Sequence, residues 1–250
     1  MTGKLYIAGL GPGDDNLVTP EVNLALEEAT DIVGYIPYVA RISEREGLRL
    51  HPSDNRVEID RSQHALEMAS EGKIVVVVSS GDPGVFAMAA AVFEAVEAGP
   101  KEWRDLDIQV LPGITAMLAA SAKAGAPLGH DFCAINLSDN LKPWELIEKR
   151  LRLAAQADFA MAFYNPRSKS RPEGFEKTLE ILKDECRDAR PVIFARNVSR
   201  TDEQIKVVPL NQTTPDMADM RTMVIVGSSK TRIIERCGAA PLVYTPRSVG

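Results

Sequence analysis

The feature that most constrains this chain is the run Lys73 to Ser79, KIVVVVS, followed at once by Ser80-Gly81-Asp82-Pro83-Gly84. Consecutive valines with no polar alternation suit a strand covered on both faces, which is the position of a strand inside a parallel sheet. The Gly-Asp-Pro-Gly break then stops the strand, and a small-residue helix is expected from Val85 to about Ala98. The unit repeats. Lys4 to Leu10 reads as a strand entering Gly9-Leu10-Gly11-Pro12-Gly13-Asp14. Asp107 to Leu111 reads as a strand entering Pro112-Gly113, with an Ala-rich helix from Thr115 to Lys123. Strand, Gly/Pro loop and helix in succession predict an α/β fold with a largely parallel sheet.

Other signals in the first half agree. Thr19-Pro20-Glu21 is a helix start, with Thr as cap and Pro at the first helical position. Leu24, Leu26 and Ala29 are expected on its inner side. Asp31 to Tyr35 reads as a strand, and Asp60 to Glu71 as a helix with Leu66 and Ala69 inward. The turn-rich stretch 124–129 is the candidate linker between domains 1–123 and 130–250. Beyond it, strands are expected at Phe132 to Leu137, Phe159 to Tyr164, Pro191 to Ala195, Ile205 to Pro209 and Thr222 to Gly227. Helices are expected at Pro143 to Ala155 and Glu173 to Arg187. The last three strands are close enough for hairpins, so the second sheet should be mixed.

The chain has 250 residues, is 45% hydrophobic and carries a formal net charge of −6. An acidic balance argues against nucleic acid as a partner, because phosphate binding needs a basic face. The N-terminus lacks the long apolar core of a secretory leader, and no stretch reaches the length of a membrane span, so a cytoplasmic location without membrane contact is expected. The cysteines are Cys133, Cys186 and Cys237, spaced without a CxxC pair, which predicts reduced, buried thiols rather than a disulfide framework. The histidines, His51, His64 and His130, form no cluster in sequence, so no protein-held metal is expected.

Gly9 to Asp14 invites a dinucleotide reading, with Asp31 about 20 residues on as that fingerprint asks. The details oppose an NAD-linked oxidoreductase. Asp14 stands where the third glycine belongs, Pro12 removes an amide from the loop, and Asp14 and Asp15 put negative charge where a pyrophosphate would lie. Asp82 is a candidate acceptor for ribose hydroxyls or an amine. Thr115 is a candidate cap or polar ligand contact. Each of the three loops alone is an ordinary turn. Because they follow strands of one sheet, they should gather at the carboxyl edge, where parallel sheets bind ligands.

GLGPGD, SSGDPGVF and LPGITAMLAA, in this order and spacing, resemble the S-adenosyl-L-methionine-dependent tetrapyrrole (corrin and porphyrin) methyltransferases. Ile135 to Trp144 (INLSDNLKPW), Phe163 to Ser168 (FYNPRS), Ala195-Arg196-Asn197 and Thr222 to Ser229 are similar to the branch of that family that methylates C17 of precorrin-3B. The resemblance covers essentially the whole chain. It implies two α/β domains with the donor in the cleft between them. It implies donor contacts at Pro12, Gly81, Asp82, Val85, Phe86, Thr115, Ala116, Tyr164, Asn165, Ala195 and Asn197. It implies methyl transfer to C17 with ring contraction to precorrin-4, release of S-adenosyl-L-homocysteine, and a homodimer. The nucleophile is then a substrate carbon, and Asp14, Asp82 and Tyr164 are candidates for any proton transfer, with Asp14 and Tyr164 put first. Another corrin-pathway methyltransferase, or one taking the cobalt-containing factor III, is the alternative.

A precorrin is a polycarboxylate, so an acidic protein must meet it with local cations. Arg167, Lys169 and Arg171 form one candidate cluster beside Asn165-Pro166. Lys230, with Arg232, forms another. Arg41 and Arg45 are spaced for one helical face and read as solvated surface.

Overall fold

The computed structural model describes residues 3–54, 57–186 and 189–248. The chain divides into two compact units, Met1–Thr115 and Ala116–Gly250.

Unit 1 holds β1 (Lys4–Gly9), α1 (Pro20–Glu28), β2 (Asp31–Tyr35), α2 (Ile36–Val39), β3 (Arg49–Ser53), α3 (Glu58–Ser70), β4 (Ile74–Ser79), α4 (Met88–Ala98) and β5 (Asp107–Leu111). Its sheet runs β3-β2-β4-β1-β5, and every pairing is parallel. The valine run sits at its centre. Val75 and Val77 pack with Leu66, Ala69, Val92 and Trp103 on one face, under α3 and α4. Val76 and Val78 pack with Val22, Ala25 and Ile32 on the other, under α1. All four valines are fully buried, and each such side chain contributes about 1.5–3 kcal/mol.

Local chemistry sets the helix ends. Thr19 Oγ1 accepts from the Val22 amide at 3.3 Å, with Pro20 in the first turn. The inner face of α1 is Val22 and Ala25, with Ala29 just beyond it, whereas Leu24 is 65% exposed. The expectation for Leu24 therefore fails, because the short helix turns its Val/Ala side to the sheet. Arg41 and Arg45 do not share a helix, since α2 ends at Val39. Arg45 Nη2 instead donates to the carbonyls of Leu26, Glu27 and Ala29 at 2.7–2.8 Å, closing the end of α1. Arg41 pairs with Asp15 at 2.8 Å. Helix α4 begins at Met88 rather than Val85, so Asp82–Ala87 is loop.

Unit 2 holds α5 (Ala116–Ala124), β6 (Gly125–Ala126), β7 (Phe132–Asn136), α6 (Trp144–Gln156), β8 (Ala160–Tyr164), α7 (Gly174–Cys186), β9 (Pro191–Arg196), β10 (Gln204–Pro209), β11 (Thr222–Val226), β12 (Arg232–Arg236) and β13 (Ala239–Tyr244). Its main sheet runs β10-β9-β11-β8-β7. β7 and β8 are parallel, and the other pairings are antiparallel, as the short spacings predict. Ile147 and Leu151 of α6, and Phe175, Leu179 and Leu182 of α7, close its core. A second small sheet, β12-β13-β6, was not expected.

That small sheet relocates the boundary between the units. Residues 124–129, expected as a linker, are bound into unit 2. Gly125 and Ala126 pair with Val243 and Tyr244, and Thr245 donates through its amide to the Ala126 carbonyl at 3.0 Å and through Oγ1 to the Pro127 carbonyl at 2.5 Å.

Candidate functional site

In unit 1 the three glycine loops follow the carboxyl ends of β4, β1 and β5, which are neighbours in the sheet. Gly11 and Gly81 form a two-way backbone bridge, N–H to carbonyl at 3.2 and 2.8 Å, and both have positive φ, 66° and 65°. Gly9 and Gly113 have no room for a side chain. A Cβ on Gly9 would lie 2.5 Å from the Gly81 carbonyl oxygen, and one on Gly113 would strike that same oxygen and come within 2.8 Å of the Gly9 carbonyl. The glycines are thus required by the contact of three backbones with one another.

Asp82 fastens this junction. Its Oδ1 accepts from the Gly84 amide at 2.8 Å, and its Oδ2 accepts from the Gly113 amide at 3.1 Å. The carboxylate expected to receive ligand hydroxyls is therefore engaged in joining the second loop to the third. Phe86, four residues on, is 49% exposed and sits at φ 53°. That left-handed conformation is disfavoured for a bulky L-residue and concentrates at functional sites. Val85 is half-buried, Pro12 is buried, and Thr115 is 5% exposed at the end of the third loop. Asp14 is exposed, and its Oδ1 accepts from the Asn16 amide at 2.9 Å, capping the short turn Asp15–Leu17.

In unit 2, β7, β8 and β9 all end at one edge of the main sheet, where β10 and β11 begin. Several expected residues meet there. Tyr164 closes β8, and its hydroxyl accepts from the Met117 amide at 3.4 Å, one residue past Ala116 in the first turn of α5. Asn165 has φ 52° and donates Nδ2 to Asn136 Oδ1 at 3.1 Å. Asn197 has φ 50°, is 5% exposed and donates Nδ2 to Asp202 Oδ2 at 2.6 Å. Ala195 lies one residue inside this edge: its side chain is fully buried, and it pairs with both Met223 and Ile205.

The cationic candidates separate. Arg167 Nε is buried without a hydrogen-bond partner, and Asp216 is an electrostatic neighbour of Arg167. Lys169 is exposed. Arg171 lies 3.8 Å from Asp139 with 14% of its side chain exposed. Lys230 lies at the opposite edge of the sheet, because β11 runs antiparallel to β8. The adjacent Ser229 is tied to Asp158, just ahead of β8, by bonds of 2.8 and 2.6 Å. The second candidate cluster, Lys230 with Arg232, therefore stands at the edge away from Arg167 and Arg171, and Arg232 opens the exposed strand β12.

Three residues of this edge were missed. Arg196 Nε donates to Asp219 Oδ2 at 2.9 Å, and Asn136 Oδ1 also accepts from the Ser138 amide at 2.9 Å. Burial pushes the Asp219 carboxyl upward, but bonds from Arg196, Thr222 and the Arg221 amide outweigh it, and the net shift is down. Arg196 was within reach as the middle residue of Ala195-Arg196-Asn197; Asp219 lies in a loop without a motif. Leu137, Asp139, Trp144, Arg171, Gly174 and Lys177 line a hollow of about 300 Å³ beside this edge. INLSDNLKPW and the residues just after FYNPRS therefore come together there.

A family model described as Tetrapyrrole (Corrin/Porphyrin) Methylases matches residues 4–214. A relative from Sinorhizobium sp, described as Precorrin-3B C(17)-methyltransferase, is 53% identical over 247 residues, covering 99% of this chain and 97% of its own length. A probable cobalt-factor III C(17)-methyltransferase of Salmonella typhimurium is 36% identical, covering 96% of this chain and 99% of its own. The crystal structure of the methyltransferase CobJ superposes with a TM-score of 0.93 at 67% identity, over 98% of this chain and 100% of that one.

Proposed function

Since the chain belongs to the tetrapyrrole (corrin/porphyrin) methylases, we propose that it transfers a methyl group from S-adenosyl-L-methionine to C17 of precorrin-3B. The products are the ring-contracted precorrin-4 and S-adenosyl-L-homocysteine. The observation that carries this reading is the 53% identity, across almost the full length of both chains, to a C17-methyltransferase. The bond between Asn165 of FYNPRS and Asn136 of INLSDNLKPW, which brings the two segments together, supports the choice of branch.

When bound, the donor supplies a sulfonium-activated methyl group. The chain's own work is then positioning, which by itself accounts for several orders of magnitude in rate. The tight junction of Gly9, Gly11, Gly81 and Gly113 fits such a ligand, because it brings main-chain polar groups rather than side chains to the sheet edge. Val85, Phe86, Thr115 and Ala116 border the donor. Asp82 serves by holding two of the loops together. Tyr164, Asn165 and Asn197 complete the polar set. Arg167 receives a substrate carboxylate. A buried N–H without a partner costs about 1–3 kcal/mol, and a carboxylate oxygen would satisfy it. Asp14, exposed and capping its own turn, is the weaker of the proton-transfer candidates, and Tyr164 the stronger.

The same reading takes the enzyme as a cytoplasmic homodimer. Among the described residues no helix is long and apolar enough to cross a membrane. The 36% relative favours a second reading, in which the substrate already carries cobalt. Incubation with isotopically labelled donor and either precorrin-3B or cobalt-factor III separates the two. Label at C17, located by NMR in the metal-free product, is the expected result. Turnover of the cobalt substrate alone would favour the second reading, and label at another carbon would reject both.

A further inference from the structure

His51 and His64, separated by 13 positions in sequence, meet on the surface of unit 1, one from β3 and one from α3. His51 Nδ1 faces His64 Nε2 at 3.4 Å, with ring centroids 5.2 Å apart and planes inclined at 67°. The other nitrogen of His51, Nε2, lies 2.8 Å from Oδ1 of Asp31, whose side chain is only 3% exposed. The second oxygen of Asp31 accepts from Thr30 Oγ1 at 2.8 Å.

Two features set this arrangement apart from an ordinary contact between histidines. Protein hydrogen bonds are commonest at about 2.7–3.2 Å, and this pair, at 3.4 Å, is a long one. Two imidazole nitrogens bound to one zinc-like ion at about 2.0–2.1 Å and a tetrahedral angle lie roughly 3.3–3.4 Å apart, and rings radiating from such an ion have centroids roughly 5 Å apart. Both spacings match those found here. The buried carboxylate adds the outer partner that metal-binding histidines usually have. It accepts the N–H of Nε2, fixes the tautomer and leaves the Nδ1 lone pair facing outward.

We propose that His51 and His64 form a binding site for a borderline divalent cation of the zinc, cobalt or nickel class, oriented by Asp31. The pair supplies two neutral nitrogen ligands, and solvent completes the shell, since among the described residues no group of three His, Cys, Asp or Glu side chains is placed to hold a metal. Nitrogen ligands select these ions over magnesium and calcium, which take oxygen. The site stands apart from the glycine loops. Asp31 opens β2, whereas those loops follow the opposite ends of the parallel strands.

The test is a zinc titration of the purified chain, in competition with a chromophoric chelator, repeated with cobalt to read its visible absorption. One ion per chain is expected, bound in the micromolar range. His64→Ala should weaken binding at least tenfold, and Asp31→Asn should weaken it about 10–100-fold. Cys237→Ser, which removes the exposed thiol, should change nothing. Melting curves of His64→Ala establish that the fold is kept; its side chain is at the surface. The proposal is overturned if the intact chain leaves zinc unbound at about 100 µM. It is also overturned if His64→Ala binds as tightly as the parent, or if Cys237→Ser abolishes binding.

Discussion

Asp82 and Asp31 show how the same side chain takes different work from its surroundings. Asp82 spends both oxygens on amides, those of Gly84 and Gly113. Asp82→Ala therefore frees one loop from the next, and affinity for S-adenosyl-L-homocysteine should fall by about 1–3 kcal/mol, read by calorimetry. Asp82→Asn keeps an acceptor for one amide and should lose less. Equal affinity in all three proteins would remove Asp82 from the donor site. Asp31 is buried, which pushes its carboxyl upward, but hydrogen bonds from His51 and Thr30 reverse the shift, and the net direction is down. A carboxyl lowered on folding stabilises the fold above its unfolded pKa of about 3.9, and that contribution fades as pH falls through the lower folded value. The melting temperature should thus decline more steeply on acidification below about pH 4 than in Asp31→Asn. Parallel curves would show that the carboxylate adds nothing to acid stability.

Among the elements, β4 and the loop after it carry most of the fold's logic. Gly113→Ala would drive a methyl group into two carbonyl oxygens at the meeting of three loops. Overpacking of this kind destabilises by about 1–3 kcal/mol, and here the donor site should be lost before the fold. Urea melts and donor titrations on that variant measure both effects, and unchanged donor binding would refute the link. The central strands were legible because burial on both faces leaves an unmistakable apolar run. The start of α1 was legible because Thr19 and Pro20 act locally. The edge strand β3 was not: Arg49–Ser53 pairs with one neighbour only, is polar, and contains Pro52, a residue tolerated at sheet edges. β12 was hidden in the same way, since every one of its residues is exposed and no periodicity marks it. The three loops were found individually as turns. That Gly9, Gly81 and Gly113 exclude one another's side chains depends on strand order, which no local pattern encodes.

Over the whole molecule, strand direction decides which cations can act together. Arg167 follows β8 at the edge where β7 and β9 also end, whereas Lys230 follows β11 at the other. Arg167→Ala should weaken precorrin binding about tenfold or more, in line with loss of a charge-assisted bond, and leave donor affinity intact. Lys230→Ala should leave both unchanged. Equal losses in the two variants would mean that the polycarboxylate engages both edges, contrary to this assignment. Sequence proximity to a motif marked both residues; only the antiparallel course of β11 separates them. The histidine pair was concealed by the same kind of distance, since β3 and α3 bring together positions that show no metal spacing along the chain.

The small sheet has a practical consequence. Cys237 lies in the turn joining β12 to β13 and is exposed, and Ile233 and Ile234 of β12 also carry uncovered side chains. Under air, thiols from two molecules can oxidise into an intermolecular crosslink. A sizing column run without reductant would then register a covalent pair whatever the native assembly, so stoichiometry has to be measured with the thiol reduced or replaced by serine.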